Sequence, residues 1–498
     1  MNMADPTANP ALLAWLRLVA LHAQPARIDW CLGLSVEAKA ERTLLSQHDL
    51  ESEMPEVVCV ATENPVDAGP TNRWIRPQEA RGSVWELFRG AMAGRTMYVV
   101  PYVVGPPSAH FSGVGIQVTD CLQLARRVML NAPAGRSALD LLGNDKNFVC
   151  GVHSLADRAT ERRYLIHFPE TAEFWAIGSA SPTNALLGET RHALRVASAC
   201  AKEGGWLAEN MRIVEVSRTD GESCFMAVAM TEGDASAAFA EGGVGCRVAV
   251  RGGPMCWLQP GVDGQLWAVD PAWSGSSWGA ASAVGMARRA QAERARGKRG
   301  ERSQQAVPIS AIVLYGHQPR STPLVYETRT WRHGVYVGST LITRSSSAEA
   351  SVYDPMGMRP YCAYNMGDYL SHWLALGRRL ARPPKIFHVN RSRLRDGKPI
   401  WPIGQDARIF EWIYDRLDGG ASAYATPLGF VPTEAAINAN GLDVPPDALS
   451  LLLSSNSSAL LREAERAMEF LGRFRQRLPP ALLTEHRGLV RRLQSSFH

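Results

Sequence analysis

The chain has 498 residues, roughly two to four domains by the usual size of a domain, and its 46% hydrophobic and 20% charged residues are those of a globular protein with sizeable cores. The net charge of +5 is accounted for by Arg288 to Arg302, with seven basic and two acidic residues, so the overall balance gives no reason to expect nucleic acid. Nine scattered cysteines without a Cys-x-x-Cys pair point to reduced thiols and away from a disulfide framework or zinc ribbon.

Near the start, PALLAWLRLVALHAQPARIDWC is apolar but interrupted by Arg17, with no basic n-region or small-residue cleavage site. It reads as an amphipathic helix over 11–23, followed after a Pro turn by a short strand at Arg27–Cys31. No stretch reaches the ~18–20 apolar residues of a membrane span, and a cytoplasmic protein is expected. Tyr98–Val104 and Val114–Val118 read as strands separated by a Gly/Pro/Ser-rich turn. Residues 186–209 show helical spacing, with Leu187, Leu194 and Ala197 on one side. From Ile213 to Val228 two β-rich runs are joined by Arg218-Thr-Asp-Gly, which is hairpin chemistry.

Val228 to Gly243, VAMTEGDASAAFAEGG, begins like the end of a buried strand and runs into small residues able to open a helix. Such a strand–loop–helix often cradles a phosphate, because backbone N–H groups and the helix dipole converge there. A phosphate loop also needs a lysine and a metal-binding Ser or Thr; this stretch has no lysine, and Glu232 and Asp234 stand where an anion would sit. Residues 280–305, rich in Ala, Arg, Gly and Gln, read as an exposed, mobile connector. AIVLYG, GVYVGSTLI and PKIFHVN read as buried strands, GMRPYCAYNMGDYLSHWLALGRRL contains a helix, and 446–496 are mostly helical, split by Pro479-Pro480.

Taken in order, several runs resemble the GTP-dependent phosphoenolpyruvate carboxykinases: QPARIDWC, DAGPTNRW (67–74), GRTMYVVPYVVGP (94–106), GIQVTD, NALLGE (184–189), ALRVASACAKEGGWLAENM (193–211), PLVYET, HGVYVGS, DPMGMRPYCAYNMGDYLSHWL (354–374) and PKIFHVN. They span almost the whole chain. The resemblance implies a mixed α/β (α+β), two-lobed fold: a substrate lobe over 1–207 and a nucleotide lobe with a degenerate phosphate loop over 208–498, with the basic linker 280–305 inside it. It also implies a family reaction, the lyase conversion of oxaloacetate and GTP into phosphoenolpyruvate, CO2 and GDP in gluconeogenesis. That chemistry uses GTP, two Mn or Mg ions and a phosphate-loop lysine, with positive charge stabilising an enolate before in-line phosphoryl transfer.

Against that pattern the chemical residues differ. The family's phosphate loop falls on Thr231, Glu232, Gly233, Asp234, Ala235 and Ser236, its Gly-Lys-Thr at about Asp234-Ala235-Ser236. The paired lysines after "LLG" fall on Glu189 and Thr190, the metal-binding histidine on Asn210, and the Gly-Asp-Asp run on Gly252-Gly253-Pro254. The substrate loop becomes Ser181, Pro182, Thr183 and Asn184, where proline removes an N–H donor. An N-terminal substrate arginine falls near Ser52 or Glu53, the arginines of Gly-Gly-Arg-Arg-Pro on His317 and Gln318, and the guanine-clamping aromatics on Arg391 and Ser392. A downstream Pro-Gly-Phe-Gly becomes Pro402-Ile403-Gly404. What is retained instead sets turns and packs cores: Gly94, Pro101, Trp206, Tyr364 and Trp373.

No catalytic residue is assigned; Arg299 and His317 are the candidates, each set against an ordinary linker or surface role. Glu232 and Asp234 with Glu189 are weighed as a new cation site or as solvated acids at a helix start, and no metal or cofactor is expected. Segment 288–302 is read as a linker in preference to a nucleic-acid grip. His333, His372 and His388 read as packing residues, and Cys224, Cys246 and Cys256 lack a nucleophile's partners. The expected function is that of a carboxykinase-like pseudoenzyme, or a repurposed GTP-independent enzyme, whose partner is a small carboxylic acid or a protein. A working carboxykinase is the alternative and requires several motifs to be misaligned together.

Overall fold

The computed structural model describes the chain apart from residues 1–5, 34–55, 105–112, 133, 156–162, 179–189, 231–244, 271–305, 317–320, 345–350, 391–393, 396–397, 403, 443, 446 and 497–498. The chain divides into two compact units: Met1–Gly204 with Val269–Ala306 and Pro360–Asn365, and Gly205–Ala268 with Val307–Arg359 and Met366–His498.

In the first unit the strands are β1 (Arg27–Trp30), β2 (Glu56–Ala61), β3 (Arg73–Ile75), β4 (Thr96–Val104), β5 (Gly113–Thr119), β6 (Val149–Ser154), β7 (Arg163–Phe168) and β8 (Glu173–Ile177). They form one mixed sheet in the order β1-β4-β5-β6-β8-β7-β2-β3. Its helices are α1 (Pro10–Ala23), α2 (Pro77–Leu87), α3 (Leu122–Asn131), α4 (Arg136–Leu142) and α5 (Thr190–Gly204). The start of α1 is set chemically: the Asn9 side chain accepts from the Leu12 N–H at 3.0 Å, and Pro10 at the first helical position gives up an N–H that had no partner to find. Leu12, Leu16, Val19 and Ala23, spaced at 3–4 residues, are its buried face, and they join Phe88, Met97, Val99, Ile116 and Trp175 in one core.

Pro360–Asn365 belongs to this unit although it lies far along the chain. Its backbone is gripped by Asn72 Nδ2 donating to the Cys362 carbonyl at 3.0 Å and by Arg195 Nε donating to the Pro360 carbonyl at 3.1 Å. Ser198 Oγ accepts from the Ala363 N–H at 3.1 Å.

The second unit is built on β9 (Leu207–Glu209), β10 (Met211–Arg218), β11 (Ser223–Met230), β12 (Cys246–Val250), β13 (Cys256–Pro260), β14 (Leu266–Val269), β15 (Val307–Gly316), β16 (Val325–Glu327), β19 (Lys385–Asn390), β22 (Ala423–Ala425) and β23 (Phe430–Pro432), with the small pairs β17 (Ile342–Arg344)–β18 (Ser351–Tyr353) and β20 (Leu394–Arg395)–β21 (Lys398–Pro399). The main path runs β12-β10-β11-β15-β19-β16-β23-β22. β11, β15 and β19 are parallel neighbours, and β10–β11 is the antiparallel hairpin expected from Arg218-Thr-Asp-Gly. The helices are α6 (Trp331–Ser339), α7 (Met366–Arg379), α8 (Ala407–Leu417), α9 (Ala448–Leu453), α10 (Ser457–Gly472) and α11 (Pro480–Ser495). None of the described helices is long and apolar enough to cross a membrane.

Two expectations are corrected. GVYVGSTLI, read as a strand, is mostly helix α6, with only Ile342 entering a strand. Thr330 caps it by accepting from the His333 N–H at 3.1 Å, and every residue from His333 to Ser339 is buried. A helix buried all round shows no 3.6-residue stripe, so its apolar run looks like a core strand. Gly334 and Gly338 let it lie close: a Cβ on Gly334 would come within 2.4 Å of Ile386 on β19, and one on Gly338 within 2.2 Å of Met356. The helical spacing of 186–209 also ends early. α5 stops at Gly204, Gly205 takes a positive φ of 69°, and Leu207–Glu209 is strand β9.

Candidate functional site

In open α/β sheets, ligands bind beyond the carboxyl ends of the parallel strands, where successive loops leave the sheet together. Here that edge is a row: Met230 pairs with Tyr315, and Gly316 pairs with Asn390. The next residues along the chain are Thr231, His317 and Arg391, the starts of three segments singled out in the sequence. Register therefore brings Met230, Gly316 and Asn390, the last described residues before these segments, to one edge of one sheet. Thr231–Ser236, His317, Gln318, Arg391 and Ser392 themselves lie outside the described residues, as do Ser52, Glu53, Ser181–Glu189, Arg299 and the linker 280–305. Thr190 is the first residue of α5, and its side chain is not described.

Asn210 sits between β9 and β10. Its backbone N–H donates to Met358 Sδ at 3.1 Å and its side-chain Nδ2 to the Gly357 carbonyl at 3.3 Å, so the side chain ties the sheet to the Asp354–Met358 turn. Pro254, half-buried between β12 and β13, offers no side-chain donor or acceptor. Among the described residues no group of three or more His, Cys, Asp or Glu side chains converges as a metal site would.

The residue beside Asn210 carries chemistry that the sequence reading missed. Glu209 is fully buried; its carboxylate oxygens accept from Tyr369 Oη at 2.6 Å and Trp373 Nε1 at 3.1 Å, and Trp373 Nε1 also lies 2.8 Å from Tyr369 Oη. No cation faces it in this network, and burial pushes its carboxyl up to about 8, the two hydrogen bonds offsetting only part of the rise. At pH 7 it is mostly a neutral acid. Asp354, also buried, is pushed up to about 6 by burial, against the Arg359 N–H that its Oδ1 accepts at 2.8 Å. No periodicity in the sequence marks either acid; for Glu209 the signal lay in partners 160 and more positions away.

His333 and His388 are buried as packing residues, and His372 is half-buried. Burial pushes the Cys224 and Cys246 thiols up to about 12, with Asp418 adding to the first and Glu411 to the second, which leaves both protonated and poorly nucleophilic at neutral pH.

The chain has six lysines: Lys39, Lys146, Lys202, Lys298, Lys385 and Lys398. None falls between Lys202 and Lys298, the interval that holds β10 through β14 and the segment after β11. Lys202 lies over the Tyr364 ring at 5.4 Å. Lys385 opens β19, at the amino end of the parallel strands, where it pairs with Glu327 at 3.1 Å.

Residues 52–202 match the family described as the phosphoenolpyruvate carboxykinase N-terminal domain, and 273–492 match the phosphoenolpyruvate carboxykinase C-terminal P-loop domain. The chain is 33% identical to "Phosphoenolpyruvate carboxykinase [GTP]" of Anaeromyxobacter dehalogenans over 99% of its own length and 98% of that protein. It is 31% identical to the protein of the same name from Paenarthrobacter aurescens, over 98% of each, and 31% identical to that of Neocallimastix frontalis, over 88% and 87%. A two-unit mixed α/β fold, matches to both family domains and identity along nearly the whole chain place this protein in the GTP-dependent phosphoenolpyruvate carboxykinase family.

Proposed function

We propose that this family member keeps the carboxykinase fold without the carboxykinase reaction, serving as a pseudoenzyme or as a GTP-independent enzyme that takes a small carboxylic acid or a protein partner. The observation that carries this reading is the absence of lysine from 203–297. A phosphate loop needs an ammonium group within reach of the outer phosphates, and no shift of alignment within that interval supplies one. Glu232 and Asp234 add repulsion: two like unit charges 4 Å apart cost about 4 kcal/mol at an effective dielectric of 20. Losing a single preorganised charge-stabilising group already costs about 3 kcal/mol of transition-state binding in other enzymes.

The metal positions support the same reading. Divalent Mn or Mg prefers carboxylate, imidazole and water; Asn210 here is engaged with Gly357, and Pro254 has no ligating atom. Two of the family's metal positions thus argue against that metal, while Glu189, a carboxylate, lies outside the described residues; no step is assigned to a metal. The nine cysteines, all free, suit a reducing, cytoplasmic setting.

Calorimetric titration of GTP with Mn²⁺ into the folded protein tests the proposal. No heat of binding and no phosphoenolpyruvate formed from oxaloacetate are expected. Micromolar GTP binding with turnover would overturn it and restore the parent activity.

A further inference from the structure

At the amino end of the parallel strands, opposite the edge that holds Gly316 and Asn390, the chain leaves β16 through Thr328, whose N–H donates to the Ile386 carbonyl at 2.9 Å. The next residue, Arg329, is exposed, and its Nη2 donates to the Thr426 carbonyl. Arg492, half-buried on α11, donates from Nε to the Pro427 carbonyl at 2.8 Å. Those two carbonyls are consecutive in a closed turn, where the N–H groups of Thr426 and Gly429 donate to each other's carbonyls at 2.7 and 3.2 Å. Two guanidinium groups from distant parts of the sequence are thus gathered at one turn.

The turn supplies carbonyl dipoles but no charge to balance them. Among the described residues neither Arg329 nor Arg492 forms an ion pair. Glu485, the acid that acts on Arg492, pairs with Arg332 at 3.5 Å, and Glu327, two residues before Arg329, pairs with Lys385 and Arg416 at 3.1 and 2.6 Å. Burial, and after it the like charge of Arg329, weakens Arg492's hold on its proton, with Arg491 adding to the effect. Arg492 Nη2 is sealed from water without a partner; Nη1, 3.2 Å from where a Cβ on Gly488 would stand, also lacks one but is not sealed. A guanidinium does not escape such repulsion by losing its proton. Two unpaired positive charges at one turn are balanced by two negative charges, and the guanidinium fork matches the oxygens of a phosphate. A carboxylate would balance only one.

We propose that Arg329 and Arg492 form a binding site for a phosphate-bearing dianion, free or as a monoester, whose oxygens accept from the open N–H groups of Arg329 and from Arg492 Nη1. The positions weighed for the parent reaction follow the carboxyl ends of the same strands, so the two sites lie at opposite edges. Inorganic phosphate, glycerol phosphate and acetate are titrated into the full-length protein at about pH 8, where phosphate is a dianion, and at constant ionic strength, so that screening is held fixed. Binding is read by calorimetry and thermal shift. Phosphate should bind with a Kd on the order of 1 mM and acetate about tenfold more weakly, because it answers only one guanidinium. Arg329→Gln and Arg492→Gln should each weaken phosphate about tenfold. Arg329 is exposed, so its variant should keep the cooperative melt, while Arg89→Ala, which removes a cation from the first unit, should leave the Kd unchanged. Tighter binding of glycerol phosphate assigns the site to a phosphomonoester, and tighter binding of inorganic phosphate to the free ion; either supports the proposal. Equal affinity for acetate and phosphate would overturn it. So would phosphate binding untouched by Arg329→Gln, which would place the anion elsewhere, as in a retained phosphate loop. No binding of phosphate at millimolar concentration would also overturn it and leave both arginines as solvated charges.

Discussion

β15 and β19 run side by side through the second unit, and from Ala311 to Gly316 and from Ile386 to Asn390 every residue is buried. In the sequence His317-Gln318 and Arg391-Ser392 follow them and Thr231–Ser236 follows β11, the positions at which the function proposed above has the family's chemical residues replaced. The strand body carries AIVLYG and PKIFHVN, the second of them among the runs that resemble the family; the replacements proposed above all come after the strands end. A residue packed on both faces of a sheet is held by folding free energy, whatever the protein does. A residue just past a strand end is held by its chemistry alone, and once that chemistry is unused nothing retains it. On the function proposed above, fold and reaction part within two or three residues.

Five substitutions test this contrast. The largest effect should come from Trp373→Ala in the body. The change empties a fully buried site and strips Glu209 of a donor, costing about 4 kcal/mol in chemical denaturation.

Next is the pH dependence of Glu209. Its folded value of about 8 lies above the ordinary 4.5, so its contribution is complete below about pH 4.5 and is lost as pH rises towards 8, by at most about 1.4 kcal/mol per pH unit. Glu209→Gln should flatten that limb of the stability profile; an unchanged slope would show that the acid is ionised in the fold.

His388 gives the opposite limb. Burial holds it at about 3, below the ordinary 6.5, so its stability is present above pH 6.5 and lost as pH falls towards 3. Both ring nitrogens lack hydrogen-bond partners, so His388→Phe should be neutral or stabilising by about 1 kcal/mol at pH 7 and should remove that acid limb.

At the edge, replacing Glu232 and Asp234 together by alanine should change stability by no more than about 0.5 kcal/mol and should leave GTP unbound in calorimetry, because no lysine is restored. A loss as large as that of Trp373→Ala would place the edge under folding constraint and dissolve the contrast. The smallest effect is expected for Arg89→Ala, which removes an exposed ion pair with Glu86 and should leave the melting temperature unmoved within error.

Much of the fold was legible because its signals are local. The helix expected over 11–23 is α1 (Pro10–Ala23), Arg218-Thr-Asp-Gly closes the β10–β11 hairpin, and Pro479-Pro480 divides the last two helices. The family itself was legible from motifs strung along the whole chain. The candidate site was legible only as the replacements proposed above, since a missing lysine is visible in a sequence while a new contact is not. Helix α6 escaped because a helix buried on all sides loses the periodicity that distinguishes it from a strand.

By itself, then, the sequence determined the family, the mixed α/β class, the order of most elements and the lack of lysine from 203–297, all of which depend on residue identity and short-range chemistry. It took the folded chain to show that Pro360–Asn365 packs with the first unit, that Glu209 is a buried acid beside Tyr369 and Trp373, and that His333 keeps a buried ring nitrogen without a hydrogen-bond partner. Those facts come from groups far apart in the chain meeting out of water, where burial and not residue type sets charge, pairing and what is left unsatisfied.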